Sequence, residues 1–167
     1  MAKEREVYLM KERGQKMIQI LSGNLFDTNA QIICHQCNRQ GVMGSGVAAE
    51  VKRRYPEVFK EYCSFLKKPY VNLGSVLVVD CNEKRAIANL IAQDKYGWGK
   101  QFTNYEALHQ CLRDLKEIVN DIYGGKVCKI AFPYGMGSVR GGGDWSTVYK
   151  IIEEELGDYD VEIWKLN

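Results

Sequence analysis

Three glycines lie between an apolar strand and a helix in the first third of the chain. Residues 30–36 are typical of a buried strand, residues 45–55 have helical spacing, and Gly41, Gly44 and Gly46 fall at the junction. Glycine lets the backbone approach a ligand closely, and the first N–H groups of a helix are unpaired and carry the positive end of its dipole. The pattern therefore predicts an anion site, with a simple connecting turn as the alternative.

The same pattern returns near the other end of the chain. Residues 126–132 form a short β-branched segment that runs into a glycine cluster at 135–143, and a helix begins near Asp144. If the two strands are parallel neighbours, both glycine loops emerge at the carboxyl edge of the sheet, where open α/β sheets bind ligands. Two facing loops lined with amides suit a diphosphate better than a single phosphate.

Length and charge limit the class of protein. A chain of 167 residues fits one domain, and 23 basic against 21 acidic residues give a net charge of +2. This balance predicts no dedicated nucleic-acid surface, since such binding relies on clustered phosphate contacts. The clusters at 52–54 and 67–68 are typical of a solvated helix face. With no signal peptide and no long apolar run, we expect a cytoplasmic monomer that does not enter a membrane.

The six cysteines raise the question of a metal. Cys34 and Cys37 have metal-ligand spacing, but zinc needs two further ligands, and His109 stands alone in a helix. We therefore expect neither a metal nor a cofactor. A redox role is disfavoured as well, because Cys34 closes a buried strand and the helix begins only near Ser45, whereas a reactive thiol favours a helix N-terminus.

The remaining pattern predicts an N-terminal extension, residues 1–16, followed by one α/β domain, residues 17–167. A four-residue turn between two strands implies an antiparallel pair, while the other strands alternate with helices, so the sheet should be mixed. A polar, aromatic loop at 94–103 is a candidate lid. The predicted strands are 17–21, 30–36, 74–80, 85–93, 126–132 and 161–166, and the predicted helices are 45–55, 56 to before Pro69, 104–123 and 144–156.

Several motifs occur in the order found in one family. Residues 22–25 look like an adenine-site turn, residues 38–48 like a first diphosphate loop, and residues 135–145 like a second one; the segments 89–93 and 103–108 complete the set. On these motifs the chain from about residue 17 to 167 resembles the macrodomain family, the ADP-ribose-binding fold. The resemblance implies a three-layer α/β/α fold with a central mixed six-stranded sheet and helices on both faces.

The resemblance also implies which residues form the site. The residues that would carry the chemistry are His35, Asn38 and Asp144. Asn38 would bind the distal ribose hydroxyls, His35 would donate a proton to the leaving phosphate or accept one from it, and Asp144 would orient or activate a water. Each has a structural alternative, namely a satisfied core histidine for His35, an Asx turn for Asn38 and a helix cap for Asp144. The implied substrate contacts are Gly23, Asn24, Leu25, Gly41, Met43, Gly44, Ser45, Gly46, Val47, Gln93, Pro133, Gly135, Met136, Gly137, Ser138, Val139, Arg140, Gly141 and Trp145.

Aromatic side chains near these loops have two interpretations. Tyr96, Trp98, Tyr134 and Trp145 could stack on adenine or cover a ribose, although aromatic side chains more often serve packing. Asn24 stands where many family members have an aspartate. It retains an acceptor oxygen for the adenine amino group and lacks the charge.

Within the family, the chain looks most similar to a branch with three activities. These are ADP-ribose-1″-phosphate phosphatases, terminal ADP-ribose hydrolases with a catalytic lysine, and a chromatin-remodeller module that only binds. Gln93 aligns with that lysine and Lys95 lies two residues further on, so an adduct between a lysine and the sugar is not expected. The resemblance implies a metal-independent phosphatase that converts ADP-ribose 1″-phosphate to ADP-ribose and phosphate. The alternatives are release of ADP-ribose from a modified protein or nucleic acid, and binding without catalysis.

Overall fold

A six-stranded mixed sheet forms the centre of the protein, as seen in a computed structural model that describes residues 18–82 and 84–167. Its order is β1-β6-β5-β2-β4-β3, and only β3 runs antiparallel to its neighbour among these strands. The strands are β1 (Gln19–Ser22), β2 (Ile32–Asn38), β3 (Val76–Asn82), β4 (Arg85–Gln93), β5 (Lys129–Pro133) and β6 (Asp160–Lys165).

Four helices cover both faces of this sheet. They are α1 (Gly46–Arg54), α2 (Pro56–Leu66), α3 (Tyr105–Ile122) and α4 (Trp145–Leu156). Apolar side chains of α1 and α2 pack on one face, and those of α3 and α4 pack on the other, so two hydrophobic clusters enclose the sheet. The predicted three-layer α/β/α fold is confirmed. None of the helices in the described ranges is long and apolar enough to cross a bilayer.

Local sequence explains where these elements begin. Pro56 occupies the first turn of α2, where its missing N–H costs no hydrogen bond. Asn104 caps α3 by accepting the Ala107 N–H at 2.9 Å. The central strand β4 is buried on both faces, as expected for a continuous apolar run.

Most predicted boundaries agree with the structure to within a few residues. The prediction for β4 was correct at both ends, whereas β2 continues two residues further than predicted, to Asn38, through an irregular step opposite Gln93. The segment before β5 begins with a short 3₁₀ turn, Gly125–Val127, so the strand starts at Lys129 rather than at residue 126. The predicted extension, residues 1–16, and Met17 lie outside the described residues.

The strand order decides where the two glycine loops meet. Strand β2 pairs in parallel with β5 on one side and with β4 on the other. The carboxyl ends of β2 and β5 therefore lie side by side at one edge of the sheet, and the loops that follow them face each other.

Candidate functional site

A cleft of about 630 Å³ opens at this edge of the sheet. Its walls are the first glycine loop (residues 39–46), the second glycine loop (residues 134–143) and a bridging loop (residues 94–103) between β4 and α3. The lining residues are His35, Gln36, Asn38, Val42, Gly44, Ser45, Gly46, Val47, Ala48, Gln93, Tyr96, Trp98, Pro133, Tyr134, Gly135, Met136, Gly137, Val139, Arg140 and Gly141.

Asn38 shapes the start of the first glycine loop. Its Oδ1 accepts the N–H groups of Gln40 (2.9 Å) and Val42 (3.3 Å), and its Nδ2 donates to the Val42 carbonyl at 2.9 Å. The buried Tyr62 hydroxyl donates to the Asn38 carbonyl and, at 2.9 Å, to its Oδ1. Burial raises the pKa of Tyr62, which keeps the hydroxyl neutral and able to donate. The predicted Asx turn is therefore present, and Asn38 also lines the cleft.

The N-terminus of α1 forms the end of the same wall. Gly46, its first residue, has φ of +57°, and a Cβ added there would meet no described atom within 4 Å. Ser45 caps the helix without a side-chain hydrogen bond, and no acidic residue stands in the first turn. The first N–H groups of α1 and the positive end of its dipole are thus available to an anion in the cleft.

Close contacts with protein atoms hold the second glycine loop. A Cβ on Gly141 would lie 2.2 Å from the Thr103 hydroxyl, and one on Gly142 would lie 1.9 Å from the Lys100 carbonyl oxygen. The Gly143 N–H donates to the Gly137 carbonyl at 2.9 Å. Only glycine lets the backbone come this close to Lys100 and Thr103, so the second glycine loop packs directly on the bridging loop.

The bridging loop contacts both glycine loops. The Asp94 carbonyl accepts from the Arg39 N–H and from Gln40 Nε2, each at 3.1 Å. On the other side, the Gly141 carbonyl accepts the Thr103 N–H at 2.8 Å, and the Arg140 guanidinium lies 4.5 Å from the Trp98 ring centroid. The predicted position beside the cleft is confirmed, whereas lid motion stays a prediction.

Gln93 is held by two hydrogen bonds at the back of the cleft. Its Oε1 accepts from Gln36 Nε2 at 2.7 Å, and its Nε2 donates to the Lys95 carbonyl at 2.8 Å. No lysine belongs to the described residues that line the cleft. The structure therefore offers no amine in the position that the family resemblance assigned to a catalytic lysine.

His35 lines the cleft but is almost wholly buried. Alternation along β2 puts it on the face of Ile33 and Cys37, which pack toward α1 and α2, and only 2% of it is exposed. Its Nε2 lies 2.7 Å from Asn89 Oδ1. Burial lowers the pKa of His35 to about 4, so the imidazole is neutral at pH 7. This environment is the one expected of a satisfied core histidine, and a role of His35 on a proton of the leaving phosphate stays a prediction.

Asp144 does not belong to the residues that line the cleft, and its predicted role on a water stays a prediction. Its carboxylate caps α4, accepting from the N–H (3.1 Å) and hydroxyl (2.9 Å) of Thr147 and from the Ser146 hydroxyl. The Ser146 hydrogen bond contributes most to a lowered pKa for Asp144. Its N–H donates to the Tyr105 hydroxyl at 2.9 Å. The carboxylate is engaged in the helix cap, which was the structural alternative.

Other predicted contacts also lie outside the cleft lining. Asn24 uses its Oδ1 to accept the Phe26 N–H at 2.9 Å, Met43 of the first glycine loop is buried in the core, and Trp145 packs against Tyr134 with ring centroids 4.9 Å apart. Fourteen predicted site residues do line the cleft. Those outside it are Gly23, Asn24, Leu25, Gly41, Met43, Ser138, Asp144 and Trp145, so adenine recognition by residues 23–25 stays a prediction.

Sequence reasoning missed Gln36, Val42 and Ala48. Val42 and Ala48 are apolar and gave no chemical signal. For Gln36 a signal existed: Ile32 and Cys34 pack toward α3 and α4, so strand alternation places Gln36 on that face, where a polar side chain is unusual. Among residues 18–82 and 84–167, no group of three His, Cys, Asp or Glu side chains could hold a metal ion.

Comparison with known proteins identifies relatives of this arrangement. The sequence model of the Macro domain matches residues 34–152. The chain is 28% identical over 153 residues to a DNA ADP-ribosyl glycohydrolase of Thermus aquaticus, covering 89% of this chain and 40% of that protein. It is 27% identical over 151 residues to an ADP-ribose 1″-phosphate phosphatase of Candida albicans, covering 86% and 94%.

A solved structure supports the same relationship. The macrodomain of Mycobacterium tuberculosis DarG superimposes with a TM-score of 0.75 and 28% identity, covering 89% of this chain and 97% of that one. The chain spans about two fifths of the length of the DNA ADP-ribosyl glycohydrolases that it matches.

Proposed function

The chain belongs to the Macro domain family, and on that premise we propose that its cleft binds ADP-ribose derivatives and converts ADP-ribose 1″-phosphate to ADP-ribose and phosphate. One observation carries this proposal. The N-terminus of α1 opens on the cleft at Gly46, with free space where a side chain would stand, and the second glycine loop faces it. Two backbone surfaces that face each other can hold both phosphates of a diphosphate.

The diphosphate would lie between the two loops. The first amides of α1, at residues 46–48, would donate to one phosphate. In the second glycine loop the N–H groups of Met136 and Ser138 donate to carbonyls of Pro133 and Gly135, so the other amides at residues 135–141 would meet the second phosphate. Arg140 adds a positive charge at the same wall. Because the first turn of α1 has no acidic side chain, no carboxylate opposes the anion there.

Asn38 would fix the distal ribose. Its Nδ2 carries two hydrogens and one donates to the Val42 carbonyl, so the second can reach a ribose hydroxyl in the cleft. The Tyr62 hydroxyl and the Gln40 N–H hold the opposite side of the amide. Asn38 is therefore oriented before any ligand arrives, which lowers the entropic cost of binding.

Hydrolysis would depend on positioning more than on proton transfer. The reaction adds one water across the phosphoester bond and releases inorganic phosphate. Backbone amides and Arg140 would stabilise the charge of the transferred phosphate, while the neutral His35 and the capping Asp144 would contribute through the fold. A site without a free acid or base should turn over slowly, since such a group usually supplies about a hundred- to ten-thousand-fold in rate. We propose that no metal takes part.

Release of ADP-ribose from modified DNA is the second candidate. The observation in its favour is the similarity, over 89% of this chain, to relatives named for that activity. Gln93 argues against a lysine-dependent route, because its amide is fixed by Gln36 and by the Lys95 carbonyl.

Three parallel assays test the proposal. We expect ADP-ribose to bind in a calorimetric titration, and ADP-ribose 1″-phosphate to release phosphate at a rate that EDTA does not change. ADP-ribose should be released more slowly from an ADP-ribosylated DNA. Faster release of ADP-ribose from the DNA would favour the second candidate. Binding without turnover of either substrate would indicate a binding module, and no binding at millimolar ADP-ribose would refute the proposed function.

A further inference from the structure

One glutamine links the central strands to the second glycine loop. Gln36, near the end of β2, donates from Nε2 to Gln93 Oε1 at 2.7 Å and to Thr103 Oγ1 at 2.8 Å. The Thr103 hydroxyl then donates to the Gly137 carbonyl at 2.8 Å. We call these four groups the Gln36 network. Its hydrogen bonds join β2, β4, the bridging loop and the second glycine loop.

The donor direction in the Gln36 network is fixed by its outer members. Gln93 must present Oε1, because its Nε2 donates to the Lys95 carbonyl. Thr103 must present a lone pair, because its only hydroxyl hydrogen goes to Gly137. Gln36 therefore has to turn its NH₂ group toward both. The reversed amide would set an oxygen against two acceptors.

This constraint leaves Gln36 Oε1 without a donor among the described residues, although the atom is buried. Buried amide oxygens are nearly always paired, and an unpaired one destabilises the fold. Gln36 therefore satisfies Gln93 and Thr103 with its NH₂ group while its own oxygen stays unpaired. This indicates that the residue serves to place the NH₂ group rather than to stabilise the fold.

The second glycine loop lies directly on the Gln36 network. A Cβ on Gly137 would approach Gln36 Oε1 to 2.8 Å, and a Cβ on Gly141 would approach Gln36 Nε2 to 3.0 Å. No side chain separates the second glycine loop from the Gln36 side-chain amide. The position of that amide therefore sets how far the loop lies from the sheet. The loop lines the cleft from that position.

We propose that Gln36 is a positioning residue for ligand binding, which holds the second glycine loop, through Thr103, at the height where its amides can meet a diphosphate. This inference rests on the proposed function. It predicts that Gln36 and Thr103 act as one unit, and that the donor groups matter rather than the volume that they fill.

The test is a double-mutant cycle read by ADP-ribose affinity. Gln36→Met keeps the length of the side chain and removes its donors, and Thr103→Val removes the hydroxyl. Each should weaken binding about tenfold, the value of one lost hydrogen bond. The affinity of the double variant should equal that of whichever single variant binds less tightly, because the two residues act as one unit. Thr103→Ser keeps the hydroxyl and should retain the parental affinity.

Gln110→Met is the matched control. Gln110 is an exposed glutamine on α3 whose Nε2 donates to Asp114 Oδ1 at 2.8 Å, away from the cleft, so its loss should leave ADP-ribose affinity unchanged. If Gln36→Met does not fold, the comparison of Thr103→Val with Thr103→Ser carries the test alone.

Hydrogen exchange separates this inference from the proposed function. Without ligand, the amides of residues 135–143 should exchange faster in Gln36→Met and Thr103→Val than in the parent or in Gln110→Met. A parent that binds ADP-ribose while both variants bind equally well would overturn the inference alone. A parent that does not bind would refute the proposed function, and exchange rates equal to those of the parent would then overturn the positioning role as well.

Discussion

In the first glycine loop, the missing side chain of Gly46 leaves open space beside the cleft, whereas in the second loop the missing side chains of Gly141 and Gly142 make room for protein atoms. Gly46 has no neighbour within 4 Å of its Cβ position, while the Lys100 carbonyl oxygen lies 1.9 Å from that of Gly142. Both loops look alike in the sequence. One keeps room for a ligand, and the other is seated on its own bridging loop.

This contrast separates two meanings of a glycine at a binding site. A side chain added at Gly46 would meet the ligand and no protein atom, so the fold would bear only the backbone strain of a positive φ. A side chain added at Gly142 would meet the protein and displace the loop. Binding and stability should therefore respond to different substitutions, although both loops line one cleft.

Gly46→Glu should have the largest effect on binding. The new carboxylate would occupy the anion site and repel the diphosphate, so we expect ADP-ribose affinity to fall roughly a thousandfold or more. A calorimetric titration measures it, and the melting temperature should fall only as far as the backbone strain of a positive φ requires.

Gly99→Glu is the control for this substitution. Gly99 has φ of +79° and nothing within 4 Å of its Cβ position, like Gly46, but it does not line the cleft. The two variants thus carry the same charge and a similar backbone strain. Normal binding by Gly46→Glu, or an equal loss in Gly99→Glu, would remove the distinction between the loops.

His35, on the strand that leads into the first glycine loop, should make the free energy of unfolding depend on pH. The pKa of His35 is about 4 in the fold and 6.5 in an unfolded chain, so its stabilising contribution is complete above pH 6.5 and is lost as the pH falls toward 4. We expect a loss of about 3 kcal/mol over this window. Urea unfolding at several pH values measures it, and His35→Gln should flatten the profile. An unchanged slope in that variant would contradict the burial of a neutral imidazole.

Gly142→Ala should destabilise the protein by about 2 kcal/mol, because a methyl group would clash with the Lys100 carbonyl and φ is +64°. Gly125→Ala provides the comparison, with a similar φ of +67° and only an ordinary contact, 3.5 Å from Asn120. The difference between the two free energies of unfolding isolates the clash. Equal values would mean that the second loop is not seated as closely as described.

Asp144→Ala should have the smallest effect. It removes the cap of α4, so the melting temperature should fall by roughly a few degrees, as it should for Asn104→Ala at the cap of α3. Phosphate release should stay unchanged at a temperature where both variants are folded. A much larger loss of turnover in Asp144→Ala than in Asn104→Ala would instead support the predicted role of this carboxylate on a water.

Sequence patterns predicted the elements well wherever the signal was local. Strand β4 was located correctly because a continuous apolar run lies between a polar turn and a polar loop. The cap at Asp144 was readable for the same reason, since a cap depends on the next three residues, whereas Asn104, predicted as the first residue of a helix, is its cap. The two glycine loops were also found at the correct edge, because strand–loop–helix order fixes that edge once the strands are parallel.

Properties that depend on distant residues could not be predicted in this way. Gln36 gains its place from contacts with Gln93, Thr103 and Gly137, which no spacing rule connects. His35 lies at the cleft, as expected from its place near the end of a central strand, but its protonation state could not be predicted. Its neutral, buried state follows from the Asn89 partner on β4 and from the helices packed over that face.

The adjacency of β2 and β5 has a mechanical consequence. A ligand held by both glycine loops would fasten together two segments that are far apart in the chain, one from its first third and one from its last. Such a ligand cross-links the domain reversibly, and its binding raises the free energy of global unfolding. Protection from proteolysis should then reach segments with no ligand contact, including α2 on the far side of the first loop.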